Sequence, residues 1–339
     1  MNRRSLYFVG PRQVEVIEER VPMPAPGEVV VRSIVSAISA GTEMLFYRHQ
    51  LEEGMLLDTA IPSLGGSFAY PFKYGYATVG RVVDRGSGVP RELEGRLVFA
   101  FHPHESHFSA PAEQLVPVPE DLSAEEAVML PSMETAVSLA MDGSPLLGED
   151  VLIIGQGVVG LLTTAVLSRM PLGTLTSVEG YSLRRRLSEE MGCATCLGLG
   201  PFDELARSCP FGSRGADLTF EISGNPDALD MAMRLTGFEG RMVLGSWYGN
   251  KAVNAHFGEA FHRRRQRIIG SQVSSISPSL TGRWNKERRL LLSWEMMRRI
   301  RPSRLITHRF SVDDAADAYG LIDRGSGDAV QVLLEYGGD

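Results

Sequence analysis

The sequence predicts an α/β chain with a doubly wound parallel sheet, covered by helices on both faces, joined to a separate β-rich domain. Three observations predict it. The stretch VLIIGQGVVG, residues 151–160, runs from buried-type aliphatic residues through a glycine fingerprint into the helix pattern LLTTAVLS. From SAEEAVMLPSMETAVSLAM onward, helical patterns alternate with strands at VLIIG, TLTSVE, DLTFEIS, RMVLGS and QRIIGSQV, the rhythm of a parallel sheet. Residues 1 to about 125 instead carry short β-branched runs such as VEVIEE, EVVVRSIVSAIS and ATVGRVVD, broken by Pro and Gly, as in an antiparallel β-rich domain.

Beyond residue 280 two helix patterns, KERRLLLSWEMMRRI and VDDAADAYGLID, precede a last strand, AVQVLLEY. That tail is too short to form a domain alone, so it is expected to return to the first one. The expected boundaries are 1–130, completed by 283–339, and 131–282.

In the fingerprint, Gly155 permits the sharp turn, Gly157 lets a pyrophosphate approach the backbone, and Gly160 lets the helix pack closely on the strand. Val158 and Val159 open that helix with unpartnered N–H groups, a ready anion site. The second strand decides the cofactor. Glu179 ends it, 24 residues after Gly155, near the spacing expected for a carboxylate that holds the adenosine ribose hydroxyls. A 2′-phosphate would meet its negative charge, which favours NAD over NADP. Arg184, Arg185 and Arg186 come soon after; they read first as a solvated helix face, and as a phosphate grip if the cofactor is NADP.

Bulk properties restrict the function. At 339 residues, with net charge −7 and no apolar run of about 18 residues, the chain reads as a two-domain soluble protein without a membrane span or nucleic-acid partner. The N-terminus lacks the apolar core of a signal peptide, and three cysteines make no complete disulfide framework, so a cytoplasmic location is expected. Charge is uneven: residues 262–304 carry a net +10, leaving −17 elsewhere. Solvated or salt-bridged helix faces are the first reading, steering of an anionic substrate or pairing with a partner subunit the second. Cys193 and Cys196 form a C-x-x-C at a helix end and a third-strand start; with no second pair to close a zinc site, neither a redox nor a metal role is expected there.

PAPGEVVVRSIVSAISAGTE, GYATVGRVV, PEDLSAEEAVMLPSMETA, the fingerprint and LITHRFSVDDAADAY occur in the order found in the medium-chain dehydrogenase/reductase superfamily, the alcohol dehydrogenase relatives, which the chain resembles along essentially its whole length. The resemblance implies a GroES-like catalytic domain, a Rossmann domain, a cofactor cleft between them and a homodimer or homotetramer. SAISAGTE and GYATVGRVV are also similar to bacteriochlorophyllide dehydrogenases, which act on a bulky secondary alcohol.

Zinc-dependent members of the superfamily place a cysteine where this chain has Ala40, a His-Glu pair where it has Tyr76 and Ala77, and a third ligand near Pro131 or Ser132. None is a good zinc ligand, and no cysteine precedes Cys193 to build a structural zinc lobe. No metal is expected. Thr42 matches the superfamily's proton-relay hydroxyl and is the first candidate to hold the substrate oxygen; its plainer role is to satisfy a local turn. Tyr76 reads equally as a donor into the cleft or as an aromatic filling the space of the lost metal. Glu43 reads as a loop anchor.

In FAFHPHESHF, alignment with the superfamily puts His102 or His104 nearer the cleft than His107, as candidate acid/base groups; for any one of them a surface histidine without chemistry is the commoner case. Glu134 lies where the superfamily's helix passes the nicotinamide, and reads equally as a ligand-ordering group or a helix-dipole carboxylate. The strand-end rule adds Ser223, Gly224, Ser246, Trp247, Ser271 and Gln272 as cofactor contacts, with Tyr248 beside Trp247 as a pocket wall.

The expected function is zinc-independent, NAD(P)-dependent interconversion of a small-molecule alcohol and its carbonyl compound. An NADPH-dependent enone or quinone reductase is the nearest rival, and a non-catalytic dinucleotide-binding protein the second class.

Overall fold

The computed structural model describes residues 2–337. The chain forms two compact units, one from residues up to Pro131 and again from Arg301, the other from Ser132–Ile300. The first begins with a hairpin, β1 (Asn2–Gly10) and β2 (Gln13–Arg20), that reverses at Pro11 and Arg12, where Arg12 takes φ +60°. The longest strand, β3 (Glu28–Ile38), pairs antiparallel with β4 (Thr78–Arg85). Between them lies the short helix α1 (Glu43–Tyr47). β5 (Leu97–Ala100) pairs with β4, β6 (His107–Pro111) with β3, and β7 (Val116–Pro117) with β5. Helix α2 (Ala124–Ala127) starts with a reciprocal capping box between Ser123 and Glu126. In α3 (Leu130–Gly143), Pro131 occupies the first turn, where its missing N–H costs no helical bond.

In the second unit, β8 (Asp150–Ile154), β9 (Thr174–Val178), β10 (Thr195–Leu197), β11 (Ala216–Glu221), β12 (Thr236–Leu244) and β13 (Arg267–Gly270) form a parallel sheet in the order β10-β9-β8-β11-β12-β13. This is the doubly wound order with a switch point at β8, the strand that ends in the fingerprint. Helices α4 (Val158–Leu167), α5 (Ser182–Glu190), α6 (Phe202–Ser208) and α7 (Ala228–Leu235) provide the crossovers. All five residues of β8 are buried, as expected of a central strand covered on both faces.

Helix α8 (Lys286–Ile300) also belongs to this unit. The sequence reading grouped residues from 283 with the returning tail. The difference has a physical cause: α8 buries Arg289, Ser293, Trp294, Met297 and Ile300 along one face, and the Arg289 guanidinium meets Glu134 and Ser138 of α3.

The chain then returns with β14 (Ile306–Ser311), α9 (Ala315–Asp323) and β15 (Gln331–Glu335). β15 pairs antiparallel with β3 and parallel with β14, completing a seven-stranded sheet. An aromatic core including Phe8, Phe46, Phe68, Phe72, Tyr74 and Tyr319 fixes α1 and α9 against the hairpin. No helix among the described residues is long and apolar enough to cross a membrane.

Candidate active site

In the second unit the strand-to-helix turn has the form a pyrophosphate needs. Gly155 holds φ +95°, and a Cβ there would lie 2.6 Å from the Cα of Ser223, so only glycine fits. A Cβ on Gly160 would lie 2.1 Å from the Gly155 carbonyl oxygen, which is the close helix–strand approach expected of that position. A Cβ on Gly157, by contrast, would meet nothing within 4 Å. Gly157 caps α4, so the first N–H groups of the helix, those of Val158 and Val159 included, have no partner within it.

Glu179 stands at the end of β9 with its carboxylate turned to this loop. Its Oε2 accepts the Gln156 N–H at 2.8 Å and its Oε1 the Tyr181 N–H at 3.0 Å. Each oxygen keeps a second acceptor site for a ribose hydroxyl. The arginines behind it are engaged within the protein: Arg184 lies over the Tyr181 ring, Arg185 donates to the carbonyls of Glu179 and Gly180, and Arg186 stands 3.9 Å from Glu190.

The other predicted strand-end residues line the carboxyl edge of the same sheet. Ser223 donates to Glu221, and the Gly224 N–H is accepted by Ser246 Oγ at 2.8 Å. Trp247 is exposed, while the Tyr248 hydroxyl donates to Glu221 and so braces the loop rather than walling open space. Ser271 donates to Asp142 at 2.6 Å, and Gln272 accepts the Ser274 N–H. Glu221, fully buried, organises this edge and was missed; its signal was a carboxylate at the carboxyl end of the strand ADLTFE, directly after Phe220. Glu134 is buried on α3 at 3.3 Å from Arg289, and burial raises its carboxyl above the usual range despite that guanidinium. Arg289 itself is buried and paired with Glu134, so at that residue the basic run takes the salt-bridged and not the solvated form of its first reading.

In the first unit Thr42 is the N-cap of α1, and its side chain makes no capping hydrogen bond. Its Oγ1 instead lies 3.3 Å from the Tyr76 hydroxyl, which also donates to Ser39 Oγ at 2.5 Å. Three hydroxyls thus meet, and Ser39 was not anticipated. Burial raises the Tyr76 phenol above its ordinary value, so at neutral pH it keeps its proton and acts as a donor.

Directly behind Thr42 lies a buried polar chain. Glu43 accepts hydrogen bonds from the Ser39 N–H at 2.8 Å and from the Tyr319 hydroxyl, and its Oε2 lies 3.0 Å from His104 Nε2. His104 Nδ1 pairs with Ser36 Oγ at 2.7 Å, and Ser36 with the Tyr336 hydroxyl at 2.8 Å. His104 exposes no surface, which corrects the surface reading for this residue. Gly75, at φ +121°, makes room for it: a Cβ there would lie 2.7 Å from the ring. His102 stacks on Phe108 at 3.9 Å between centroids, and burial lowers its imidazole to about 4, so it is neutral at pH 7. His107 lies at the start of β6, its ring 3.3 Å from Ser106 Oγ.

Among the described residues no group of three or more His, Cys, Asp or Glu is placed to hold a metal ion.

No protein-family model matches the chain. It is 24% identical, over 98% of each chain, to the zinc-type alcohol dehydrogenase-like protein YphC of Escherichia coli. It is 23% identical to the D-guloside 3-dehydrogenase of the same species, over 87% of this chain and 88% of that one. Among solved structures, an E. coli alcohol dehydrogenase (rspB) with NADH superposes with TM-score 0.79 at 20% identity, over 99% of both chains. A Sinorhizobium meliloti protein described as a zinc-binding dehydrogenase, bound to NADP, gives 0.77 at 20% identity, also over 99% of both. The chain is thus similar from end to end to dehydrogenases of the medium-chain alcohol dehydrogenase type, and it has their fold.

Proposed function

We propose that this chain is an NAD(P)-dependent oxidoreductase that interconverts a small-molecule alcohol and its carbonyl compound without zinc. The observation that carries the reading is the cluster of Thr42, Tyr76 and Ser39 hydroxyls, in which the resemblance makes Thr42 the relay and puts Tyr76 at a zinc-ligand position. The nicotinamide, when bound, supplies or accepts the hydride. The chain's own residues bind and orient it: the Gly155–Gly160 turn and the α4 N-terminus take the pyrophosphate, and Glu179 takes the ribose hydroxyls, which favours NAD.

Charge on the substrate oxygen then falls to hydroxyl donors. Thr42 Oγ1 is the hydrogen-bond donor to that oxygen, and the protonated Tyr76 phenol, anchored on Ser39 and 3.3 Å from Thr42 Oγ1, keeps it oriented. Glu43 and His104 act behind them by holding Ser39 and the start of α1 in place. The short motifs shared with bacteriochlorophyllide dehydrogenases extend the substrate reading to a bulky secondary alcohol. A homodimer or homotetramer, as the resemblance implies, and a cytoplasmic location, as the cysteine usage suggests, complete the proposal.

The test is fluorescence titration of chelator-treated protein with NADH and with NADPH, followed by turnover on a panel of alcohols and carbonyl compounds. Tighter NADH binding by about tenfold, roughly 1.4 kcal/mol, with turnover that survives chelation, is the expected result. A preference for NADPH with turnover on enones supports the reductase instead. Binding without any turnover supports a non-catalytic dinucleotide-binding protein.

A further inference from the structure

Away from the proposed chemistry, two thiols meet at the edge of the parallel sheet. Cys193 lies just beyond α5, and Cys196 lies on β10. Both are free thiols, three residues apart, and the Cys193 thiol lies 3.3 Å from the carbonyl oxygens of Leu175 and Thr195. Cys196 pairs with Ser177 in the β9–β10 ladder, and the Cys193 N–H donates to the Ser188 carbonyl at 3.0 Å; the hydroxyls of Ser177 on β9 and Ser188 on α5 are themselves fully buried and mutually hydrogen-bonded at 2.9 Å. Two thiols are therefore packed around one polar pair, with Cys193 buried and Cys196 partly exposed. The Cys196 thiol, helped by the serine hydroxyls, draws the Cys193 thiol below the ordinary thiol range.

What makes the pair consequential is its neighbour. β10 is a three-residue edge strand, laddered only to β9. Leu197, the residue after Cys196, accepts the Glu179 N–H at 3.0 Å. Glu179 in turn holds the Gln156 N–H of the glycine turn.

We propose that Cys193 and Cys196 form a reversible disulfide under peroxide, and that its closure loosens the nucleotide site through Leu197 and Glu179. Closing an S–S bond to about 2.05 Å takes the Cys193 thiol off the Leu175 and Thr195 carbonyls and draws Cys196 towards it. The short edge strand yields more readily than the buried centre of the sheet. The movement displaces the Leu197 carbonyl and, with it, the backbone that sets the Glu179 carboxylate.

The chemistry balances with hydrogen peroxide as the oxidant. The Cys193 sulfur attacks one peroxide oxygen, the O–O bond breaks, and a sulfenic acid forms as the thiol proton leaves with the other oxygen as water. The Cys196 sulfur then displaces the sulfenic hydroxyl. An S–S bond forms, and the Cys196 proton leaves with that hydroxyl as a second water. A dithiol reverses the reaction by exchange.

The affinity arm rests on the nucleotide reading above; the thiol arm does not. The full chain is treated with hydrogen peroxide, its free thiols are counted, the disulfide is mapped by peptide mass, and NADH is titrated before and after. Free thiols should fall from three to one, with a loss of two hydrogens on the peptide carrying Cys193 and Cys196. The NADH dissociation constant should rise about tenfold and recover with dithiothreitol. Cys209 should survive, because burial pushes its thiol up to about 11. Cys196→Ser should keep its NADH affinity under peroxide, and Cys209→Ser should behave as the parent chain does.

Retention of all three thiols, a bridge elsewhere, or a Cys193–Cys196 bridge that leaves NADH affinity unchanged overturns the proposal. If the reduced protein binds neither nucleotide, the nucleotide reading and the coupling fall together, while the thiol count still decides whether the pair closes.

Discussion

His104 Nε2 lies 3.0 Å from Glu43 Oε2, and neither side chain exposes any surface. A buried carboxylate is tolerated only when its lone pairs are met, and Glu43 meets them with an imidazole, a backbone N–H and a phenol. Every one of these partners fixes a different segment: β3's exit, the loop before β6, and α9.

Removing the ring from this arrangement leaves the carboxylate short of a donor and opens a cavity under Gly75. His104→Ala should therefore lose about 3 kcal/mol of unfolding free energy in urea, with no change in the slope of the transition. NADH affinity should stay within about twofold, since the glycine turn lies in the other unit. A loss below about 1 kcal/mol would show that Glu43 finds solvent or another donor and that the chain is not a structural anchor.

Thr42 and Tyr76 should separate by kinetics. If Thr42 Oγ1 donates to the substrate oxygen, Thr42→Ala should lower kcat on the order of 100-fold, the usual cost of one such donor, with unchanged NADH binding. Tyr76→Phe keeps the ring but loses its bonds to Ser39 and Thr42. It should cost about tenfold, and much less when Thr42 is already alanine, because the two act through one hydrogen bond. Steady-state kinetics on the two single variants and the double variant decide this. Equal, additive losses would make Tyr76 an independent donor, and full turnover by Thr42→Ala would remove Thr42 from the mechanism.

The parts of the molecule legible in the sequence are those written in local patterns. The glycine turn, the alternating strands and α8 each lie within a short window, where a period or a spacing reports them. Thr42 and Tyr76 were reached through the superfamily resemblance, which supplied their positions and not their bonds. The Glu43 chain was out of reach: its imidazole lies 61 residues away and its phenol 276, and no window joins them. Arg289 shows a related limit, because it sits in an arginine-rich helix whose composition reads as solvated while packing decides which arginine turns inward. Glu221 was visible as a carboxylate at a strand's carboxyl end, but its phenolic partner lies 27 residues on.

His102 should report itself in the pH dependence of stability. Burial against Phe108 disfavours its imidazolium more than Glu105, 3.7 Å away, favours it, while Lys73 and Arg3 on the far side of that carboxylate add to the penalty. The folded value of about 4 lies below the ordinary 6.5, so the unfolded chain binds the proton first as pH falls. The stabilisation is therefore fully present above about pH 6.5 and is lost as pH drops from there toward 4. Its size is on the order of 2–3 kcal/mol. Unfolding free energies measured by urea titration across pH 4–7 should fall more steeply for the parent chain than for His102→Gln, which cannot take up the proton. Parallel curves for the two proteins would mean that the ring is solvated, or that Glu105 holds it charged, and that the stacked imidazole is no source of acid sensitivity.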